Sequence, residues 1–299
     1  MSLLIVGSVA YDSIRTAKEQ RDEILGGSAT FGSLVSSRFA DSSVVAVVGD
    51  DFAEDHLALL ENNGVGISGI ERVQGGKTFR WSGVYSEDFT ERTTLYTQLN
   101  VFEQFSPKLA DSHRQAEYLF LANIHPQLQL SVLDQIESPK FVAADTMNLW
   151  IDTEPVALAE VLKRVDMLLI NDEESFMLSG KKNIHEAALK ILEMGPNYLV
   201  IKRGEFGCAF YGEGKTFVLP AFPIDNVIDP TGAGDSFAGG LMGYLAAGGV
   251  IGYSTIRDAI VVGTLVASFT VEDFSVERLI SLTDSELELR KDRFLAITA

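Results

Sequence analysis

The stretch Asp229-Pro230-Thr231-Gly232-Ala233-Gly234-Asp235-Ser236-Phe237-Ala238-Gly239-Gly240 is the most informative part of this 299-residue chain. Three small residues come directly before an acid, Asp235, and a helical pattern of apolar residues follows. A glycine-rich turn that opens a helix presents free backbone N–H groups, and the helix dipole adds partial positive charge. Such a nest suits an anion that develops during a reaction, and Asp235 can accept a proton from a hydroxyl. The stretch therefore predicts phosphoryl transfer from a nucleotide to an alcohol.

An ordinary N-capped helix is the alternative for a glycine-rich turn with one acid. Two candidate acids within twelve ordered residues, Asp229 and Asp235, favour the functional interpretation.

Composition limits the classes of partner and of compartment. The chain has 24 basic and 42 acidic residues, a net charge of −18, which argues against nucleic acid or an anionic membrane as a partner. A nucleotide remains compatible, since its phosphates need only local donors. The single cysteine, Cys208, permits no intrachain disulfide, and we expect it to be a buried structural thiol. There is no basic leader and no apolar run of membrane-spanning length, so we expect a cytoplasmic protein.

Short apolar runs alternate with helical stretches along most of the chain. The predicted strands are residues 3–6, 44–48, 118–121, 141–144, 167–170 and 198–201, and the predicted helices include 29–39, 156–164 and 184–194. This alternation predicts an α/β fold, with a mostly parallel sheet covered by helices on both faces. Ligands of such a sheet bind beyond the carboxyl ends of its strands. Asp145, Asn171 and Lys202 directly follow predicted strands and are expected at that edge.

Residues 9–25 and 74–105 do not follow this succession of strands and helices, because polar and apolar residues alternate there. Such alternation is typical of antiparallel strands with one solvated face. We expect these segments to form a separate small sheet inserted in one domain that spans residues 1–299. An edge extension of the main sheet is the alternative.

The quoted stretch resembles the C-terminal signature of the ribokinase/PfkB carbohydrate-kinase family, and further family features follow in order over nearly the whole chain. The resemblance implies a ribokinase-like three-layer αβα sandwich with a small β-sheet lid over the substrate, which is often also a dimer contact. It implies an ATP-dependent kinase for a sugar hydroxyl, with Mg²⁺ and in some members K⁺. The catalytic group would be Asp235 as the base, with Gly232, Ala233 and Gly234 as the anion hole.

The acceptor site is implied by the family's first signature. Asp12 and Gly26-Gly27 match it and would bind the hydroxyls of the acceptor. Where many members carry Asn, this chain has Phe31, which could stack on a base or cap a deoxygenated sugar. Asn123 and His125 lie where some sugar kinases carry a sugar-binding acid.

The nucleotide and cation sites are implied in the same way. Asn171 and Glu174 match the family's Asn-x-x-Glu motif, in which Glu174 would act on Mg²⁺ mainly through metal-bound water. Asp229 matches a monovalent-cation ligand. The remaining residues expected near the nucleotide are Lys202, Gly204, Gly207, Thr231, Gly263 and Ser268.

Three alternatives stay open at this point. A nucleoside, as in adenosine-like kinases, is the rival acceptor, favoured by Phe31 and by the lid aromatics Phe79, Trp81 and Tyr85. A catalytically silent ligand sensor with the same fold is a rival of another class, and the intact Gly-Ala-Gly-Asp argues against it. A hydride-transfer enzyme is disfavoured, because no Gly-x-Gly-x-x-Gly follows the first strand.

Overall fold

The computed structural model describes residues 1–298 and contains thirteen strands in that range. These are β1 (Ser2–Val6), β2 (Ala10–Arg15), β3 (Gln20–Gly26), β4 (Asp41–Gly49), β5 (Val65–Val73), β6 (Phe79–Tyr85), β7 (Arg92–Gln98), β8 (Tyr118–Leu121), β9 (Phe141–Asp145), β10 (Met167–Asn171), β11 (Tyr198–Lys202), β12 (Cys208–Gly212) and β13 (Lys215–Leu219).

Twelve α-helices lie in the same range. They are α1 (Ser28–Ser36), α2 (Glu54–Asn62), α3 (Asp111–Arg114), α4 (Pro126–Leu133), α5 (Asn148–Thr153), α6 (Pro155–Leu162), α7 (Asp172–Ser179), α8 (Ile184–Leu192), α9 (Ala233–Ala247), α10 (Tyr253–Thr270), α11 (Glu277–Ser281) and α12 (Asp284–Thr298). Within residues 1–298, none of them combines the length and the apolar character that crossing a bilayer requires.

The main sheet has nine strands in the order β13-β12-β11-β10-β9-β8-β1-β4-β5. The seven strands from β11 to β5 in this order are mutually parallel, whereas β12, near one edge, pairs antiparallel with both β11 and β13. The prediction of a mostly parallel sheet is therefore confirmed. Because the parallel strands share one direction, their carboxyl ends meet at one edge of the sheet.

Helices cover both faces of this sheet. Along β1, Leu3 and Ile5 belong to a core shared with α1, α9 and α10, whereas Leu4 and Val6 belong to a core shared with α4 and α6. Successive side chains of a strand point to opposite faces, so a strand buried on both faces is apolar at every position. The result is the predicted three-layer αβα sandwich.

The second sheet, here called the lid sheet, contains β2, β3, β6 and β7 in the order β3-β2-β6-β7. It is separate from the main sheet, as predicted from the alternation in residues 9–25 and 74–105. One expectation was wrong: β2 and β6 pair in parallel, not antiparallel. Each inserted segment forms its own antiparallel pair, β2 with β3 and β6 with β7, and the central strands of the two pairs then join in parallel.

Candidate active site

The carboxyl edge of the main sheet brings the predicted polar residues together. Asp145 ends β9, Asn171 ends β10, and Lys202 ends β11. The side chain of Lys202 crosses the end of β10, and its Nζ lies 2.7 Å from Oδ2 of Asp145. Both side chains are largely buried, with 18% of Lys202 and 6% of Asp145 exposed. An ion pair of this kind is held firmly only when further hydrogen bonds fix its members.

The predicted anion nest is the start of α9. Gly232 adopts a left-handed conformation with φ of 79° as the N-cap, and α9 begins at Ala233. A Cβ atom at position 232 would lie 2.5 Å from the Phe31 ring, so both the backbone and the packing require glycine there. The amide of Ala233 donates to the Pro230 carbonyl at 3.2 Å. The amides of Gly234 and Asp235 belong to the first helical turn, which offers no intrahelical acceptor.

Asp235 lies in the first turn of α9, as the sequence predicts. Burial raises the pKa of its carboxyl to about 7, the charge of Asp145 adds to this rise, and Lys202 lowers the pKa in opposition. A carboxyl that titrates near neutrality can accept a proton from an alcohol at working pH, which is what a general base requires.

Asp12, on β2, is a second acid of the site and is buried, with 6% exposed. Burial, together with the nearby charges of Asp229 and Asp235, raises its pKa to about 7. Its carboxylate lies against Gly26, where a Cβ atom would be only 2.0 Å from Oδ2. Gly27 follows as the N-cap of α1. The structure thus places Asp12, Gly26 and Gly27 in one group, as predicted, with its charge facing the general-base candidate.

The lid sheet contacts this edge directly. The hydroxyl of Tyr85, at the end of β6, shares a 2.9 Å hydrogen bond with Thr231 Oγ1, just before the nest. Arg92 on β7 is the cross-strand partner of Tyr85, and its Cζ lies 5.4 Å from the ring centroid of Trp81. The charge of Arg92 lowers the pKa of both Asp12 and Asp235, as a smaller effect than burial. A cation of the lid sheet therefore faces both Asp12 and Asp235.

Phe31 and the loop after β8 were expected at the acceptor, but in the structure their side chains contact other residues of the protein. Phe31 is 1% exposed, with the end of its ring under Gly232, so in this conformation it supports the nest and offers almost no surface to a base. Asn123 Oδ1 accepts from Trp150 Nε1 at 3.0 Å. His125 caps α4 and lies 4.9 Å from the Trp150 ring, with Nε2 3.4 Å from Glu154. Contact of these residues with an acceptor stays a prediction.

Asn171 and Glu174 form a capping box at the start of α7. Asn171 Oδ1 accepts from the Glu174 amide at 2.8 Å, and Glu174 Oε2 accepts from the Asn171 amide at 2.9 Å. Burial, together with the charge of Asp145, raises the pKa of Glu174 to about 7. Among residues 1–298, Oε1 of Glu174 has no hydrogen-bond partner and so remains available to a metal-bound water.

The other residues expected near the nucleotide divide into two groups. Gly204 and Gly207 bound a short 3-10 helix after β11, beside Lys202. Gly263 instead packs α10 on α9, where a Cβ atom would lie 2.6 Å from the Phe237 carbonyl. Ser268 Oγ donates to the Leu265 carbonyl and accepts from Arg290 of α12. Helix packing therefore accounts for Gly263 and Ser268, and a nucleotide contact by either stays a prediction.

Asp229 is completely buried and has an unusual carboxylate. Its Oδ1 accepts from the Thr231 amide at 2.9 Å, but Oδ2 has no hydrogen-bond partner within the described residues. Burial raises its pKa to about 6. A buried oxygen without a donor is costly and is a suitable ligand for a cation. Elsewhere in residues 1–298, no cluster of three or more His, Cys, Asp or Glu side chains is arranged to hold a metal.

Sequence reasoning missed Arg92 and did not pair Asp145 with Lys202. A single arginine in an alternating strand gives no local signal, and its importance appears only when the lid sheet is folded over the edge. Asp145 could have been paired with Lys202, because both directly follow strands that end at one edge.

Comparison with known proteins agrees with this geometry. The model of the pfkB family of carbohydrate kinases matches residues 2–281. The chain belongs to this family. Its members transfer a phosphoryl group to an alcohol, so the protein is a kinase of the sugar or nucleoside class. Family membership also agrees with the glycine nest and the Asp235 carboxyl at the start of α9.

Two curated relatives and one solved structure illustrate the likeness. A cytidine kinase of Thermococcus kodakarensis is 30% identical over 82% of this chain and 88% of its own length. A nucleoside kinase of Methanothermobacter thermautotrophicus is 27% identical over 91% of this chain and 89% of its own. A protein of Escherichia coli assigned as ribokinase II, in complex with ATP and Mg²⁺, has a TM-score of 0.81 at 16% identity and covers 98% of this chain and 99% of its own. At that identity the last shows the fold, which is ribokinase-like.

Proposed function

We propose that this pfkB-family kinase transfers the γ-phosphoryl group of ATP to a hydroxyl of a nucleoside or a sugar, with Asp235 as the general base. The observation that supports this best is the half-buried carboxyl of Asp235 beside the anion nest, with its pKa near 7 and Asp12 facing it. ATP as the phosphoryl donor is also supported by the ATP complex of the Escherichia coli protein with the same fold.

The chemical step follows from these residues. Asp235 takes the proton of the acceptor hydroxyl as that oxygen bonds to the γ-phosphorus, and the bond from this phosphorus to the β–γ bridging oxygen breaks. ADP leaves with that electron pair. The amides of Gly234 and Asp235 and the dipole of α9 stabilise the charge on the transferring group. Asp12, adjacent to Gly26, has the geometry to accept hydrogen bonds from acceptor hydroxyls.

Two cations complete the proposal. Mg²⁺ bound to the phosphates would neutralise their charge, and Glu174 with its unpartnered Oε1 would hold a water of that metal. The unpartnered buried Oδ2 of Asp229 supports a monovalent cation such as K⁺ at that position. Carboxylate oxygen thus serves both cations, through a bound water for Mg²⁺ and directly for the monovalent ion.

A nucleoside is the acceptor that the relatives favour, since the cytidine and nucleoside kinases match over most of the chain. The half-buried lid aromatic Trp81, with Arg92 beside it, offers a surface on which a base can stack. A free sugar is the second candidate, and the family description supports it. Both acceptors would use Asp12 for their hydroxyls, and both are consistent with a cytoplasmic protein that contacts neither nucleic acid nor membrane.

Acceptor-dependent release of ADP from a panel of nucleosides and sugars tests this function and names the substrate. Asp235→Asn should keep the fold and lose about 100-fold or more in kcat, because the proton acceptor is removed. The wild-type rate should rise as the pH passes about 7, where Asp235 loses its proton.

Asp111→Asn makes the same chemical change at an exposed residue of α3, which precedes β8 and so lies towards the amino ends of the strands, and is the matched control. A rate for Asp235→Asn equal to that of this control would exclude the mechanism. Tight ligand binding by the wild type without any turnover would support the silent sensor instead.

A further inference from the structure

The Lys202–Asp145 ion pair lies against the nest where the phosphoryl group is proposed to pass. A Cβ atom built on Gly234 would be 3.4 Å from Lys202 Nζ and 4.0 Å from its Cδ and Cε. The last part of the lysine side chain therefore runs along the backbone of Gly234. The ammonium group and the free amides of the first turn of α9 share one small volume.

Asp145 is held in place from two sides. Its backbone carbonyl accepts a 3.0 Å hydrogen bond from Gln129 Nε2, and that side chain is 1% exposed and also donates to the Ala122 carbonyl. Its Oδ1 accepts from the Thr146 amide at 2.8 Å. Oδ2 is left to hold Lys202. Gln129 joins the ends of β8 and β9, so Asp145 is fixed to the sheet edge.

The ammonium group has spare donors. It carries three N–H bonds, and within residues 1–298 its only hydrogen-bond acceptor is Asp145. Glu174 and Asp235 act on it through charge: together with Asp145 they raise the pKa of Lys202 against the effect of burial, so it stays protonated. The remaining two donors are available to phosphate oxygens.

We propose that Lys202 is a catalytic residue that contacts the transferring phosphoryl group, and that Asp145 is the positioning residue that holds its ammonium group over Gly234. This inference rests on the proposed function and deepens it, because a nucleotide contact alone would serve binding. A cation fixed where negative charge redistributes acts mainly on the transition state, and it needs no reorganisation when the reaction occurs. The effect should therefore appear in kcat more than in nucleotide affinity.

The test compares Lys202→Met, Lys202→Arg and Asp145→Asn, with the exposed Lys190→Met on α8 as the matched control. We expect Lys202→Met to lower kcat by about 100- to 1000-fold and to change the dissociation constant of MgADP by less than about threefold. Lys202→Arg keeps the charge and should recover at least about tenfold of that loss. Asp145→Asn should lower kcat less than Lys202→Met. Adding Lys202→Met to the Asp145→Asn variant should lower kcat by a smaller factor than Lys202→Met does in the wild type, because the two residues act as a pair.

A second measurement works without an acceptor. Calorimetry gives the affinity of each variant for MgADP with and without aluminium fluoride, which mimics the transferring phosphoryl group. The wild type should bind MgADP more tightly with aluminium fluoride, and Lys202→Met should lose that gain while Lys190→Met keeps it. Loss of MgADP affinity with unchanged kcat, or an unchanged fluoride gain in Lys202→Met, would overturn the proposal. If no acceptor is phosphorylated by the wild type, the proposed function fails, whereas the fluoride measurement still decides the role of Lys202.

Discussion

At the scale of single residues, the site is built from acids that the fold buries at a cost. Asp12, Asp235 and Glu174 each have a pKa of about 7, and for each the largest cause is burial. Burial of a carboxylate without a full set of partners opposes folding. The protein therefore gives up stability where it needs proton acceptors and ligands.

This cost predicts a pH-dependent stability. The folded protein holds the Asp12 proton up to about pH 7, whereas in the unfolded chain this proton is lost near 3.8. The folded state thus binds more protons between these values, so the free energy of unfolding falls as the pH rises through this window. Asp12→Asn, which cannot ionise, should be more stable than the wild type at pH 8 by about 1–4 kcal/mol. The gain should shrink towards pH 4.

Urea unfolding at pH 8, 6 and 4 measures this difference. Asp225→Asn, an exposed position, should show no such gain and is the control. A gain in Asp12→Asn that stays constant across the three pH values would contradict the explanation by ionisation.

Some residue roles could be predicted from the sequence and others could not. Asp235 and Asp12 follow from their residue type next to glycine turns, which impose local geometry. Phe31 and Ser268 were expected at ligands, but their side chains pack on Gly232 and bond to α12 respectively. Which way a helical side chain faces depends on neighbours distant in sequence, and a single chain gives no local sign of them.

At the scale of elements, α9 carries the nest and is fixed by close packing on α1. A Cβ atom on Gly239 would lie 2.3 Å from the Gly32 carbonyl, and the two backbones therefore almost touch. The opposite side of this contact is less tight, since a Cβ atom on Gly32 would meet nothing closer than 3.7 Å. The position of α9, and with it that of Asp235, depends on this contact.

Gly239→Ala should therefore separate α9 from α1. We expect a loss of about 2 kcal/mol or more in the free energy of unfolding, since a new methyl group in a packed contact forces the backbone to shift. A fall in kcat should accompany it, because the general base moves with α9. Chemical denaturation and steady-state kinetics measure both effects.

Gly32→Ala is the matched control at the same contact. It has room for its methyl group and should be neutral or slightly stabilising through better helix propensity. Equal effects of the two substitutions on stability would show that the close approach at Gly239 does not control this contact.

Strands that are buried on both faces are easier to predict from the sequence than strands at the edge of a sheet. The central parallel strands are covered on both faces, so they appear as continuous apolar runs. By contrast, β5 was not predicted, because it lies at the sheet edge and mixes Gly66, Ser68 and Glu71 with apolar residues. The parallel pairing of β2 with β6 joins segments far apart in the chain, and no local pattern encodes it.

At the scale of the whole molecule, the lid sheet presents large apolar side chains to solvent. On β7 and just after it, Leu95 is 56% exposed, Tyr96 41% and Leu99 39%. Large apolar side chains that are exposed on one element are typical of surfaces that contact another protein. We propose that two copies of the chain pair through this surface.

Light scattering coupled to size exclusion should then find a dimer of the wild type at micromolar concentration. Leu95→Asp should shift it towards the monomer, because a charge in a packed apolar contact is costly. Val156→Asp, at an apolar residue of α6 that is even more exposed, should leave the mass unchanged. A wild-type monomer across the concentration range would contradict the pairing.

The lone thiol gives the molecule a built-in reporter. Cys208 begins β12, directly after the Gly204–Phe206 turn and Gly207, and is 2% exposed, with a pKa that burial raises to about 12. A disulfide reagent can modify it only when the edge of the main sheet opens beside that turn. The rate at which Cys208 is labelled therefore measures how often this edge opens. Each chain carries one such thiol, so no label needs to be introduced. A nucleotide bound against this turn should slow the labelling of Cys208.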